Sequence, residues 1–267
     1  MSTDLLIPAL LILGFLCIIL NTVVGGGGGA VLVPSLILFF NHSTNAAIAT
    51  GFVTIAVGAM VSTFAYSRQG RVDYRLGLIL GALTLPGTIL GAFIGNLIQG
   101  PVFQLVLGIV IVLVALLSVK TTNIEAIGSG GGWSRKLTDA FGKEFSYTVR
   151  MRVAILSAVA TGFVSGTFGA AGALVLTPGM MIAGFPIHIA LGTARLVALV
   201  LSLTGSATRL YLGQVDIALT PWLSVGAIVG GFVGARVARV LKSSLLTRIV
   251  SFGISLLGVA LILRSIF

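Results

Sequence analysis

Long apolar runs separated by short polar breaks dominate the chain. Residues 5–24, 45–66, 76–98, 101–119, 187–212, 217–235 and 249–266 are such runs, each with about 18 or more residues and so long enough to cross a bilayer as a helix. The runs are continuous and do not alternate by twos, which predicts helices and not the strands of a membrane barrel. Two apolar segments are much shorter. Residues 30–40 follow the run Gly25 to Gly29, and residues 173–184 are interrupted by Pro178 and Gly179. Eleven residues make a helix of about 16 Å, half a membrane. Each short segment therefore reads as part of a hairpin that enters the membrane, breaks at glycine and returns. The expected fold is an all-α polytopic membrane protein with 8–10 membrane segments.

The polar breaks recur. Gly28-Gly29-Ala30-Val31-Leu32-Val33-Pro34 matches Gly172-Ala173-Leu174-Val175-Leu176-Thr177-Pro178 at an offset of 144 residues. Thr50 falls on Thr193, Gly70-Arg71-Val72-Asp73 on Gly213-Gln214-Val215-Asp216, and Gly87/Gly91 on Gly230/Gly234, all at an offset of 143. These ordered matches predict a duplicated unit: a first membrane repeat at 1–119, a polar linker at 120–149 and a second repeat at 150–267.

Charge gives the two units opposite senses. Arg68, Arg71 and Arg75 lie in the break at 67–75, several Lys and Arg in the linker, and Arg236, Arg239, Lys242 and Arg248 in 236–248. The turn at 98–101 carries no charge, and 209–216 carries one Arg and one Asp. The positive-inside rule puts the basic breaks and the linker in the cytoplasm, and both termini outside. The GRVD break is then inside and its mate GQVD outside, so the repeats are inverted, as in many secondary transporters.

Composition agrees and narrows the function classes. Of 267 residues, 57% are hydrophobic and 8% charged, with a mean hydropathy of +1.16. So few charges cannot cover a water-facing surface. The net charge of +10 sits in loops between apolar runs, which argues against nucleic acid as a partner. A single cysteine, Cys17, excludes an intrachain disulfide and any CxxC motif. There is no HExxH, no Ser/His/Asp set and no carboxylate pair, and Gly25 to Gly29 lack the Lys-Ser/Thr of a P-loop. The chain is expected to be no enzyme and to need no metal or cofactor.

The candidate chemistry is anion binding. Glycine breaks at membrane depth leave N–H groups at the start of the next helix, where the dipole is positive. Gly27, Gly28 and Gly29 in the first half and Gly169 and Gly172 in the second are the residues concerned. The helix starts near Ala30 and Ala173 would face each other across an axis. Arg195 is the sharpest single residue: it lies deep in an apolar run with no Asp or Glu at matching depth. Such a guanidinium suits an anionic ligand, whose two oxygens match its fork; its repeat mate is Phe52. Thr50, Thr193, Asn21, Thr22, Ser165 and Thr167 add smaller polar groups, and His42 and His188 near segment ends are candidates for proton coupling. Gly87/Gly91 and Gly230/Gly234 read as helix-packing positions.

GGGGGAVLVP followed by AIATG and SRQGRVDYRLG, with GTFGAAGALVLTP, IALGTARL and YLGQVD in the second half, resembles the TauE/SafE sulfite exporter family of membrane permeases over nearly the whole chain. The resemblance implies transport of small sulfur-containing anions, such as sulfite or organosulfonates, across the bacterial inner (plasma) membrane, often as export. Gly192-Thr193-Ala194-Arg195 departs from the Gly-Thr-Ser associated with the family. The expectation is a transporter of sulfite, sulfonate or carboxylate by alternating access around a midplane site, with a passive anion channel and a non-transporting membrane assembly protein as alternatives. The lipid bilayer is the other partner, and a homodimer is left open.

Overall fold

The structure, a computed structural model, describes residues 3–97, 101–121, 132–169, 172–240 and 243–266. The turn at 98–100, the glycines at 128–131, Ala170, Ala171 and Lys242 lie outside the described residues.

Five helices come before a β-ribbon and five come after it. They are α1 (Thr3–Val24), α2 (Gly28–Phe39), α3 (Thr44–Arg68), α4 (Tyr74–Leu97), α5 (Pro101–Thr121), then α6 (Met151–Phe168), α7 (Ala173–Ile182), α8 (Ile187–Tyr211), α9 (Thr220–Val240) and α10 (Ser243–Ile266). Among the described residues six helices are long and apolar enough to cross a membrane: α1, α3, α4, α6, α8 and α9. α6 is absent from the apolar runs read in the sequence, because Arg152, Ser157, Thr161 and Ser165 are spread along its length, whereas the arginines of α9, whose hydropathy is 1.3 against 1.4, stand at its end.

The short segments are as short as expected, but one of them breaks elsewhere. α2 has 12 residues and α7 has 10, about 18 and 15 Å. The second was expected to break at Pro178 and Gly179; instead α7 runs through both. Proline forfeits a single N–H bond, which a packed helix tolerates, and Gly179 lies against Ser157, whose Cβ would be 2.5 Å from an added Cβ there. The chain turns ahead of each helix. Gly25 and Gly27 have φ of 84° and 99° before α2, and Gly169 has 70° before α7, values that L side chains adopt only under strain.

The packing repeats when each helix is exchanged for its counterpart five positions along. α1 packs on α9 as α6 packs on α4; α3 packs on α9 as α8 packs on α4; α2 packs on α10 as α7 packs on α5. α3 and α8 pack on each other, as do α5 and α10. Glycine makes the tightest crossings possible: a Cβ on Gly91 would lie 2.5 Å from the Phe163 carbonyl oxygen, and one on Gly230 2.5 Å from that of Phe15. Gly87/Gly91 and Gly230/Gly234 are packing positions, in agreement with their spacing.

Residues 132–149 of the polar stretch are more than a connection. β1 (Trp133–Thr138) and β2 (Glu144–Val149) pair antiparallel, Trp133 opposite Val149. β2 alternates exposed and buried positions, and Phe145, Tyr147 and Val149 join a core cluster with residues of α4, α6, α7 and α8. The inward side chains are apolar or aromatic on a period of two, so the ribbon docks on the helices. It covers the end of the bundle where α3 stops, with the Ala140 N–H donating to the Gln69 carbonyl.

Candidate functional site

α3 and α8 define the axis of the molecule and run antiparallel. α3 starts where the His42 imidazole lies 3.6 Å from the Asp216 carboxylate, and it stops against the ribbon. α8 starts beside the ribbon, with Arg71, Asp139 and Lys143 as charged neighbours of His188 in its first turn. It finishes with Arg209 donating to Asn45 in the first turn of α3.

Each helix holds the loop of the opposite half. The Asp73 N–H donates to the Thr193 hydroxyl at 3.0 Å, and the Asp216 N–H donates to the Thr50 hydroxyl at 3.3 Å. Thr193 of α8 thus fixes the start of α4, and Thr50 of α3 fixes the approach to α9. Both threonines are fully buried. Six residues into antiparallel helices, each lies about 9 Å from the start of its own helix, so the two occupy opposite ends of the bundle, as do His42 and His188.

The glycine breaks are likewise offset and do not meet face to face. Gly25 packs against Leu191, near the start of α8, and Gly169 against Ile48, near the start of α3. The Thr177 hydroxyl donates to the Gly25 carbonyl and ties α7 to the first break. Gly27 caps α2, and the buried Gly28 and Gly29 form its first turn. The Gly28 N–H donates to the Asn21 side chain at 3.4 Å. In the second half Gly172 caps α7, and a Cβ there would lie 2.5 Å from the Ser165 Oγ. Asn21 and Ser165, 144 positions apart, each lie against the start of a short helix, Asn21 by accepting the Gly28 N–H and Ser165 by packing on Gly172.

Arg195 lies in α8 with no exposed surface, and none of its Nε, NH1 and NH2 atoms has a hydrogen-bond partner among the described residues. Burial removes the hydration shell of a guanidinium, and leaving its donors unmade forfeits the compensation. Tyr66 of α3, a residue that the sequence pattern did not single out, feels the charge of Arg195 and donates its hydroxyl to the Thr22 carbonyl at 3.1 Å. The Thr22 and Ser165 hydroxyls are also buried without a partner among the described residues. Thr167, in contrast, donates to the Phe163 carbonyl of its own helix at 2.9 Å.

A second buried arginine escaped the sequence reading, which assigned it to a solvent-side loop. Arg209 is inside α8, fully buried, and donates to Gln214 at 2.7 Å, to the Gly166 carbonyl at 3.1 Å and to Asn45 at 3.4 Å. It lies fourteen residues beyond Arg195, about four turns and about 21 Å, and so on nearly the same face. That spacing within one apolar run was the signal available.

At the ribbon end the charges pair tightly. Arg135 forks onto Asp73 at 2.9 and 2.8 Å, the Tyr147 hydroxyl donates to the same carboxylate at 2.8 Å, and the Leu76 N–H donates at 3.1 Å. Burial works to raise the pKa of Asp73, but Arg135, the Leu76 N–H and Tyr147 outweigh it and hold the carboxyl below its ordinary value. Burial, then the carboxylate it serves, raises that of Tyr147. Arg71 donates to Asp139, and Phe141 at the ribbon turn lies under both Arg71 and Arg239. The basic breaks expected on one side of the membrane do converge at one end of the molecule.

The family model described as Sulfite exporter TauE/SafE matches residues 10–261. The probable membrane transporter protein YunE of Bacillus subtilis is 30% identical, covering 97% of this chain and 98% of its own. A probable membrane transporter protein of Xylella fastidiosa is 29% identical over 85% of this chain and 83% of its own. One of Methanocaldococcus jannaschii is 23% identical over 97% and 96%. No solved structure matches the chain.

Proposed function

Since the chain belongs to the sulfite exporter TauE/SafE family, a family of multi-pass membrane transporters, we propose that it carries small oxyanions such as sulfite, organosulfonates or carboxylates across the bacterial inner membrane by alternating access. The observation that carries this reading is Arg195: a fully buried cation in a spanning helix, with all its donors unmade among the described residues. An oxyanion supplies what they lack, and Tyr66, Thr22 and Thr193 lie around the same stretch of α3 and α8. Asn21 and Ser165 hold the helix starts at Gly27 to Gly29 and Gly172 on either side.

The antiparallel course of α3 and α8 and the exchanged helix contacts support two inverted repeats, 1–119 and 150–267, that rock about this axis. The ribbon end is the cytoplasmic end in this reading, and both chain termini lie outside. An inside-negative potential drives a monovalent anion outward by about 2.3 kcal/mol per 100 mV. Export then needs no coupling ion.

Flux of radiolabelled sulfite, a sulfonate and a carboxylate into proteoliposomes tests the proposal. Saturating flux of at least one anion, abolished in Arg195→Ala, is expected. Flux that rises linearly with concentration would make the protein a channel, and absence of any anion flux would remove the reading. Orientation has its own check. With Cys17 buried, a membrane-impermeant thiol reagent outside the cell should label Tyr211→Cys but not Tyr74→Cys, both exposed positions, and the reverse pattern would invert the topology.

A further inference from the structure

At the end of the bundle opposite the ribbon lies a cavity of about 290 Å³, room for one small group with a few waters and too little for a large organic ligand. His42, Ser43, Thr44, Asn45, Gln104 and Arg264 line it together with Ile37. Every one of those polar side chains has a donor to offer, and no carboxylate of the described residues lines the space. The nearest identified acid, Asp216, faces His42.

Arg264 is exposed, and its charge is held in place with no acidic partner among the described residues. Its NH1 donates to the Ile37 carbonyl at 2.6 Å and its NH2 to the Asn41 side-chain oxygen at 2.7 Å, both neutral acceptors. The 25-residue helix α3 begins in the same wall, so its dipole adds positive potential; the Ser43 hydroxyl accepts the Ala46 N–H at 3.4 Å, while the Thr44 and Asn45 N–H groups have no partner inside the helix. Behind Asn45 stands Arg209, fully buried, with its Nε unpartnered among the described residues. A second guanidinium with no acidic partner among the described residues therefore backs the first.

We propose that this cavity is an oxyanion site, separate from Arg195, in which Arg264, Gln104 and the first turn of α3 bind a sulfonate-, phosphate- or carboxylate-type group, with Arg209 adding its charge through Asn45. The same chemistry is presented by a free anion and by the headgroup of an acidic phospholipid. The proposal does not depend on transport: binding here is expected whether or not Arg195 carries an anion.

The test is binding of radiolabelled sulfate to the full-length Arg195→Ala protein, purified in detergent and stripped of phospholipid. Saturable binding should persist in that background and weaken about tenfold in Arg264→Gln, the equivalent of one charge-assisted hydrogen bond. Arg264→Lys should restore most of it. Gln104→Leu, which leaves the Ile37 and Asn41 bonds intact, should weaken it with unchanged melting temperature. Binding that Arg264→Gln and Gln104→Leu leave unaltered, or that vanishes with Arg195→Ala alone, would overturn the proposal while the transport reading stands. Unimpaired flux in Arg195→Ala alongside Arg264-dependent binding would do the opposite. Nanodiscs separate the sources: if phosphatidylglycerol displaces sulfate and phosphatidylcholine does not, the resident group is a lipid headgroup, and if neither displaces it, a free anion.

Discussion

The two ends of the bundle start from the same construction and finish differently. At both, a threonine on one central helix accepts the N–H of an aspartate from the other half, and that aspartate's carboxylate caps the next few residues of its own chain. Asp73 caps the first turn of α4, and Asp216 takes the Ala218 and Leu219 N–H groups. At the ribbon end Arg135 and Tyr147 cover Asp73, whose side chain is 0% exposed. At the other end His42 is the one side chain that pairs with the Asp216 carboxylate among the described residues, and the carboxylate stays 26% exposed, next to an open cavity. The Thr–Asp contacts supply the shared frame, and the ribbon at residues 133–149 supplies the difference. The ribbon closes one end, and the other keeps an open cavity.

Four measurements probe this contrast, in order of expected effect. Asp73→Ala leaves Arg135 and a buried tyrosine hydroxyl without their partner and should cost about 3 kcal/mol. Asp216→Ala removes a partly exposed cap and should cost about 1 kcal/mol. Melting of the two variants in detergent compares them, and equal losses would erase the asymmetry. Tyr147→Phe removes a single bond to the buried carboxylate, for about 1.5 kcal/mol, and should expose the ribbon to protease; protection equal to wild type would mean that the ribbon is held by other contacts. Thr193→Val and Thr50→Val should each cost about 1 kcal/mol and match one another, since the frame is common to both ends. A clear inequality would show that the ribbon also alters the frame.

The smallest effect is on pH. Asp73 is held below its ordinary pKa, so its contribution is complete above about pH 3.9, the unfolded value. It is lost as pH falls through the lower folded value. In a Trp222→Phe background, Trp133, which stacks with Arg75, reports on the ribbon. Its fluorescence should stay constant down to about pH 4 and change below it; a change complete above that pH would show that Asp73 does not hold the ribbon.

Much of the fold was legible because membrane burial is written into composition. A spanning helix must be apolar along its length, so α1, α3, α4, α8 and α9 stand out, and glycine ahead of each short helix marks a turn that other residues resist. α6 was harder, since polar residues are spread along it, from the exposed Arg152 to the buried Thr161 and Ser165, and leave no continuous apolar run. Arg195 was legible as a lone charge in an apolar run. Arg209 was not, because a charge near the end of a run looks the same whether it points to water or back into the protein.

Sequence by itself determined the membrane class, the short glycine-led helices, the paired Thr and G-x-V-D positions and the clustering of basic loops. These arise from local chemistry: hydropathy, backbone freedom and residue identity at a fixed offset. Only the tertiary structure decided that Thr50 and Thr193 grip the aspartates of the opposite halves at opposite ends, that the glycine breaks are offset, and that the ribbon closes over Asp73. These are contacts between residues 62 to 166 positions apart. Their partners are chosen by the packing of whole helices, which no local pattern encodes.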